Sequence, residues 1–166
     1  EPDWNRVFER IDIIGFSEDV HARADDVARN FTTGKDIEMF GKAIHDVVVP
    51  DIESMPVDYA VKVGGRELAQ PGEREAMYKQ AAAYIAELNA MRQTPADDEE
   101  FLRRVSSVVG LTAVGTHSYA NGNGRTSRVM AELIRNGSSE RDDLKIYGTE
   151  RDISEKQLNG LRMYSF

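Results

Sequence analysis

Residues 117–128 read HSYANGNGRTSR, and the interpretation of this stretch decides the fold. It places a titratable base, a Gly-Asn-Gly turn and two arginines three apart within twelve residues. A tight turn needs only glycine's access to positive φ. The histidine and the arginines need another reason. After the turn, Thr126 to Arg135 carries Val129, Met130, Leu133 and Ile134 at helical spacing, which predicts a helix stopped by Asn136-Gly137. The bland alternative for Asn-Gly is a two-residue hairpin turn, but a hairpin needs a returning strand and residues 125–135 supply none. The glycines therefore stand at a helix entry, where unpaired N–H groups and partial positive charge favour anions. Gly122 and Gly124 at positive φ would turn successive N–H groups into a concave nest for phosphate oxygens. Arg125 and Arg128 share one face of the following helix and add fixed donors. His117, a base with an ordinary pKa of about 6.5, stands on the near side of the turn. A base beside an anion cradle predicts phosphoryl or nucleotidyl transfer. A P-loop is excluded because no lysine follows these glycines, and a dinucleotide fingerprint because Ser127 stands where its third glycine belongs.

Outward from the motif, the pattern is mostly α with one small β element. Residues 17–30 predict a helix capped by Ser17, with Val20, Ala24, Val27 and Ala28 as its apolar stripe. Residues 35–46 predict another, with Ile37, Phe40, Gly41 and Ile44 inward, before Pro50 and Pro56 break the pattern. Val57, Tyr59, Val61 and Val63 alternate ahead of Gly64-Gly65, which predicts a short hairpin or extended flap over 57–68 rather than a sheet core. Residues 73–92 read as a helix carrying Met77, Tyr84, Ile85, Leu88 and Met91. Pro95 and Asp97 open a further helix toward His117, with Phe101, Val105, Val108 and Val109 inward and Gly110 and Gly115 weakening it. Residues 138–152 read as a polar loop and 153–163 as a last short helix. His21 and His45 have no motif around them and read as structural or surface residues. The run Asp97-Asp98-Glu99-Glu100 reads as helix-start capping rather than a metal site.

The 166 residues suit one domain with a sizeable core. With 21 basic against 29 acidic residues and a formal net charge of −8, broad nucleic-acid or anionic-membrane binding is disfavoured, though a local anion site is not. There is no cysteine, hence no disulfide, thiolate nucleophile or Cys-ligated metal. No apolar run approaches the roughly 20 residues of a membrane span, and none reads as a signal peptide. A start at Glu1 rather than Met is expected of a processed or excised chain. The default expectation is cytoplasmic, with a translocated effector as the other reading.

HSYANGNGRTSR resembles the H-x-F-x-[DE]-G-N-G-R-x-x-R motif of Fic domains, which transfer AMP from ATP onto protein hydroxyls. His117, Gly122, Asn123, Gly124, Arg125 and Arg128 match at the motif's spacing. The resemblance implies a single Fic-like domain over 1–166, with a helical core over about 35–137, a β-hairpin flap over about 57–68 and a motif loop at 117–128. It implies His117 as general base, Gly122, Asn123 and Gly124 around the inner phosphates, and Arg125 and Arg128 on the outer ones. Tyr59, Val61 and Val63 of the flap would then dock an extended segment of the target protein. The implied donor is ATP, with Mg²⁺. Ser118 and Tyr119 replace the usual Pro and Phe, and Asn121 stands where the family carries an acidic Mg²⁺ ligand. A neutral amide is a poorer ligand for a hard dication, which keeps open a binding module without turnover, or transfer of another phosphate-containing group. No segment completes the family's inhibitory [ST]-x-x-x-E-[GN] pattern; inhibition, if present, would come from a separate antitoxin-like chain or a segment outside this sequence.

Overall fold

The structure, a computed structural model, describes residues 2–134 except residue 64. The loop expected over 138–152, the helix over 153–163 and the stop at Asn136-Gly137 lie outside the described residues. The elements in chain order are α1 (Trp4–Ile14), α2 (Glu18–Arg29), α3 (Gly34–Val48), β1 (Lys62–Val63), β2 (Arg66–Glu67), α4 (Pro71–Met91), α5 (Pro95–Thr116) and α6 (Asn123–Ile134). The fold is mostly helical. Among the described residues, no helix is long and apolar enough to cross a membrane.

The helices begin where side chains supply acceptors for otherwise unpaired N–H groups. Ser17 Oγ accepts from the Val20 N–H at 3.3 Å. Thr33 and Asp36 form a reciprocal capping box at the start of α3, as do Thr94 and Asp97 at the start of α5. Pro71 and Pro95 occupy first-turn positions, where a missing N–H costs nothing. α5 continues unbroken through Gly110 and Gly115, both buried. Its packing on α4 and α6 outweighs the propensity cost of about 1 kcal/mol per glycine.

α3, α4, α5 and α6 pack as a ring of neighbours, with α2 laid on α6 and α5, and α1 on α2 and α3. Ile37, Phe40, Ile44, Ile85, Val105, Val109, Met130 and Leu133 fill the centre and are essentially inaccessible. Gly34 allows α3 to start against α4: a Cβ there would lie 2.8 Å from the Tyr78 carbonyl carbon, so no larger residue fits. The buried line of α4 is Arg74, Tyr78, Ala81, Ala82, Ile85 and Leu88. Met91, expected on that stripe, is 71% exposed at the helix end.

Three further elements add to or adjust the sequence reading. α1 was not anticipated; Phe8 and Ile11 bury themselves in the core, and the Arg23 guanidinium sits 5.2 Å over the Phe8 ring. Asn5 to Ile14 have φ between 46° and 63°, the left-handed region. That hand costs L residues about 1–2 kcal/mol each, and no interaction in the structure accounts for it. The flap has a short sheet: β1 and β2 pair antiparallel through Lys62–Glu67 and Val63–Arg66, the Leu68 N–H adds a bond to the Val61 carbonyl at 3.0 Å, and residues 57–60 are outside the strands. Finally, α6 starts at Asn123, three residues before the expected Thr126.

Polar side chains tie the ring to its outer helices. His21, buried on α2, donates from Nδ1 to the Leu133 carbonyl at 2.9 Å near the end of α6. Arg29 makes two hydrogen bonds to Asp98 at 3.1 and 2.7 Å, and Arg92 pairs with the same carboxylate. These hydrogen bonds hold Asp98 below the usual carboxylate range. Asp25, one turn before Arg29, is 1% exposed and its Oδ1 has no hydrogen-bond partner. Burial pushes its carboxyl up to about 7, against the opposing pull of Arg29. A carboxyl raised in the folded state favours folding while it is protonated, and that contribution is lost as pH rises through the folded value. Urea unfolding at pH 5 and pH 8 is therefore expected to show the protein less stable at pH 8, by up to about 2–3 kcal/mol, because the folded value lies about two pH units above pH 5. Asp25→Asn should remove most of that difference; an unchanged pH slope in the variant would show that another group carries it.

Candidate functional site

The motif loop begins where α5 stops. His117 is the C-cap of α5 at φ 42°, ψ 53°, with its N–H bonded to the Ala113 carbonyl. A non-glycine residue in this left-handed region is strained by about 1 kcal/mol or more, and such residues cluster at functional positions. The ring is buried, and Nδ1 lies 2.9 Å from the Val114 carbonyl oxygen. A carbonyl only accepts, so Nδ1 carries the hydrogen and the neutral ring keeps its lone pair on Nε2. That is the tautomer a general base needs when one nitrogen is anchored.

Asn123 closes the loop. Its Oδ1 accepts from the Tyr119 N–H at 3.0 Å and its Nδ2 donates to the Tyr119 carbonyl at 2.7 Å. Both ends of the side-chain amide are thus held by loop backbone. Gly122 lies at φ +81°, and a Cβ added there would meet Val49 Cγ2 at 2.4 Å. The Thr126 N–H donates to the Gly122 carbonyl at 2.9 Å, the first hydrogen bond of α6. Helix geometry then leaves the N–H groups of Asn123, Gly124 and Arg125 without intrahelical acceptors. In the same turn the buried Thr126 Oγ1 has no hydrogen-bond partner.

The seat of the loop is the last turn of α3. His45, fully buried, donates from Nε2 to the Asn121 carbonyl at 2.9 Å, takes the Ser54 hydroxyl at Nδ1 at 2.6 Å, and stacks on Tyr119 at 4.1 Å between ring centroids. Arg125 Nη1 donates to the Val48 carbonyl at 3.0 Å, satisfying one of the carbonyls that the end of α3 leaves open. A second brace comes from α4. Arg74, 6% exposed, donates to the carbonyls of Thr116 at 3.0 Å, Val57 at 2.6 Å and Tyr59 at 2.7 Å. Burial lowers its pKa from the usual arginine value. Tyr78 hydrogen-bonds the Thr116 hydroxyl at 3.2 Å, and burial raises its phenol above the ordinary range. The Val57 N–H donates to the Ser118 carbonyl at 2.8 Å, so the root of the flap is tied to the motif loop.

The structure thus brings His117, Gly122, Asn123, Gly124 and Arg125 onto one short loop and helix start, with the half-buried Arg128 one turn further along α6. Gly124 corrects an expectation: it lies inside α6 and is not among the residues at positive φ, which Gly122 is. In the flap, Tyr59 is 53% exposed, Val61 is half-buried and Val63 is buried, so the three do not share one open edge. The residues at the expected metal position do not fit a resident cation. Asn121 offers a neutral amide oxygen that already accepts from the Gly122 N–H at 2.8 Å, and no group of three or more His, Cys, Asp or Glu residues gathers among the described residues. A groove of about 890 Å³ runs behind the loop, lined by Ser118, Arg74, Tyr78 and the alanines of α4, and neither His117 nor Gly122 lines it.

His45 and Arg74 are the site residues that sequence reasoning missed. Each acts through backbone atoms far along the chain, and nothing near either in sequence marks that partner. His45 is 76 residues from Asn121. The burial periodicity of α4 offers one clue, because Arg74 stands on the same face as Tyr78, Ala81 and Ile85.

Gly122→Ala is expected to destabilise the protein by about 1–3 kcal/mol, from positive φ and the Val49 clash together. Combining it with Val49→Ala should recover part of the loss; thermal unfolding of the four chains in a double-mutant cycle measures the coupling, and strict additivity would show that the two residues do not meet. No protein-family model matches this chain, and neither does any curated protein.

Proposed function

We propose that the chain is a protein nucleotidyltransferase, moving AMP from ATP onto a Ser, Thr or Tyr hydroxyl of a target protein. The observation that carries this reading is His117 locked by its Nδ1–H to the Val114 carbonyl, immediately before a loop that opens the N-terminus of α6. In the step proposed, His117 Nε2 takes the proton of the target hydroxyl and the hydroxyl oxygen attacks the α-phosphorus. A phosphorus–oxygen bond forms to the target as the bond to the β-phosphate breaks, and pyrophosphate leaves. The N–H groups of Asn123, Gly124 and Arg125 and the partial positive charge of the helix end favour the negative charge that grows on the phosphate oxygens. Arg125 and Arg128 add fixed cations along the same helix. Arg125, now bonded to the Val48 carbonyl, would exchange that acceptor for a phosphate oxygen. The partly open segment around Tyr59 and Val61 is the proposed docking edge for the target. Any Mg²⁺ would arrive with the triphosphate, which supplies the charged oxygens that Asn121 does not.

The hydrogen bond that occupies Asn121 Oδ1 favours a second reading, a module that binds nucleotide without turnover. Two measurements separate the readings. His117→Ala should lower transfer of labelled AMP by roughly 10²–10⁴-fold while nucleotide affinity changes little; undiminished labelling removes the base role. Transfer measured against Mg²⁺ concentration should show Asn121→Asp reaching half-maximal rate at lower metal than the natural chain. A natural chain that binds nucleotide but never labels a target, at any Mg²⁺ concentration, supports the binding module instead.

A further inference from the structure

We propose that His45 is a positioning residue for the phosphate-binding loop, acting through the Asn121 carbonyl to orient the loop's N–H groups. The proposal rests on the anion-binding reading of that loop and says what shapes it.

A peptide unit is planar and trans, so fixing the direction of a carbonyl fixes the next residue's N–H in the opposite direction. The His45 Nε2–H holds the Asn121 carbonyl and thereby aims the Gly122 N–H, which donates to Asn121 Oδ1 at 2.8 Å and closes the turn from its other side. The Thr126 N–H holds the Gly122 carbonyl and so aims the N–H of Asn123. Two successive peptide planes are thus pinned, one from within α6 and one from α3. Gly122, at φ +81°, is the swivel between them. Without the α3 anchor only the Asn121 side chain, which belongs to the same turn and moves with it, would restrain the first plane, and glycine's broad φ/ψ range would let it turn.

Histidine suits this work for reasons visible around it. The acceptor-only carbonyl requires an N–H at Nε2, and the Ser54 hydroxyl, donating into Nδ1 at 2.6 Å, holds that tautomer. Stacking on Tyr119 fixes the ring plane. The ring has no solvent exposure, so the donor is held in place by packing, and its loss would leave the Asn121 carbonyl without its protein partner.

The test compares His45→Gln, which carries an N–H close to the Nε2 position, with His45→Leu, which keeps the volume but has no donor. Ser54→Ala, which removes only the group that sets the tautomer, serves as the mild variant should the leucine chain fail to fold. Pyrophosphate affinity by calorimetry and the backbone amide NMR shifts of residues 122–125 are read at a temperature where circular dichroism shows each chain folded. His45→Leu should weaken pyrophosphate binding by about 3- to 10-fold, the net worth of one hydrogen bond, and should move the amide signals of Gly122, Asn123 and Gly124. His45→Gln should restore most of both, and Ser54→Ala should show a smaller change in the same direction. Natural affinity and unmoved loop amides in folded His45→Leu or Ser54→Ala overturn the proposal, as do equal losses in the glutamine and leucine chains. If the natural chain itself takes no pyrophosphate, the transfer reading fails, and the loop amides alone still decide the role of His45.

Discussion

One hydrogen bond joins the two parts of the chain on which the loop's shape depends: the Nε2–H of His45 on the carbonyl of Asn121. Around it the end of α3 acts as a mould. Val49 presses on Gly122 so closely that only glycine fits, and the Val48 carbonyl takes the Arg125 guanidinium. A loop of this length has too few internal contacts to hold one conformation against its own backbone entropy. It becomes a single shape because a rigid helix end supplies a donor, an acceptor and a wall. The requirement for α3 to approach so closely then reaches back through the fold, since Gly34 at the other end of that helix is what lets it lie against α4.

The side of the loop that faces α4 is held by charge set against dipoles. Arg74 is buried and bonds three backbone carbonyls: one at the end of α5 and two at the root of the flap. A buried guanidinium is costly unless its donors are matched, and carbonyl oxygens at 2.6–3.0 Å from three of its nitrogens meet that need. The consequence is mechanical. Thr116, the residue before His117, cannot move without disturbing the chain at Val57 and Tyr59. The proposed base and the segment proposed to dock a target are therefore parts of one bonded unit, although 58 positions separate Tyr59 from His117.

Other groups are left without partners. Asp25 Oδ1 and Thr126 Oγ1 are buried with no hydrogen bond, each an expected cost of about 1–3 kcal/mol. For Asp25 the raised carboxyl value offers relief, because the neutral acid is cheaper to bury than the anion. For Thr126, one turn into α6 beside the loop, the hydroxyl is enclosed within the protein and no such relief is present. The structure gives no account of that hydroxyl.

Much of this was legible in the residues themselves. Ser17, Thr33 and Thr94 mark helix starts because their side chains accept from N–H groups only a few positions ahead, and Ile37, Phe40 and Ile44 mark a buried face because helical spacing alone aligns them. The residues of the proposed site were legible for the same reason: the histidine, glycines and arginines lie within one twelve-residue window. The flap's alternation did not give the extent of its pairing, since period two records which side chains could share a face and not how far a partner strand runs. What only the tertiary structure decided are the contacts between distant positions: His45 with Asn121, Arg74 with Thr116 and Tyr59, Val49 with Gly122. Local sequence fixes torsions and faces through interactions spanning a few residues. Which histidine reaches which carbonyl across 76 residues is set by how the helices pack.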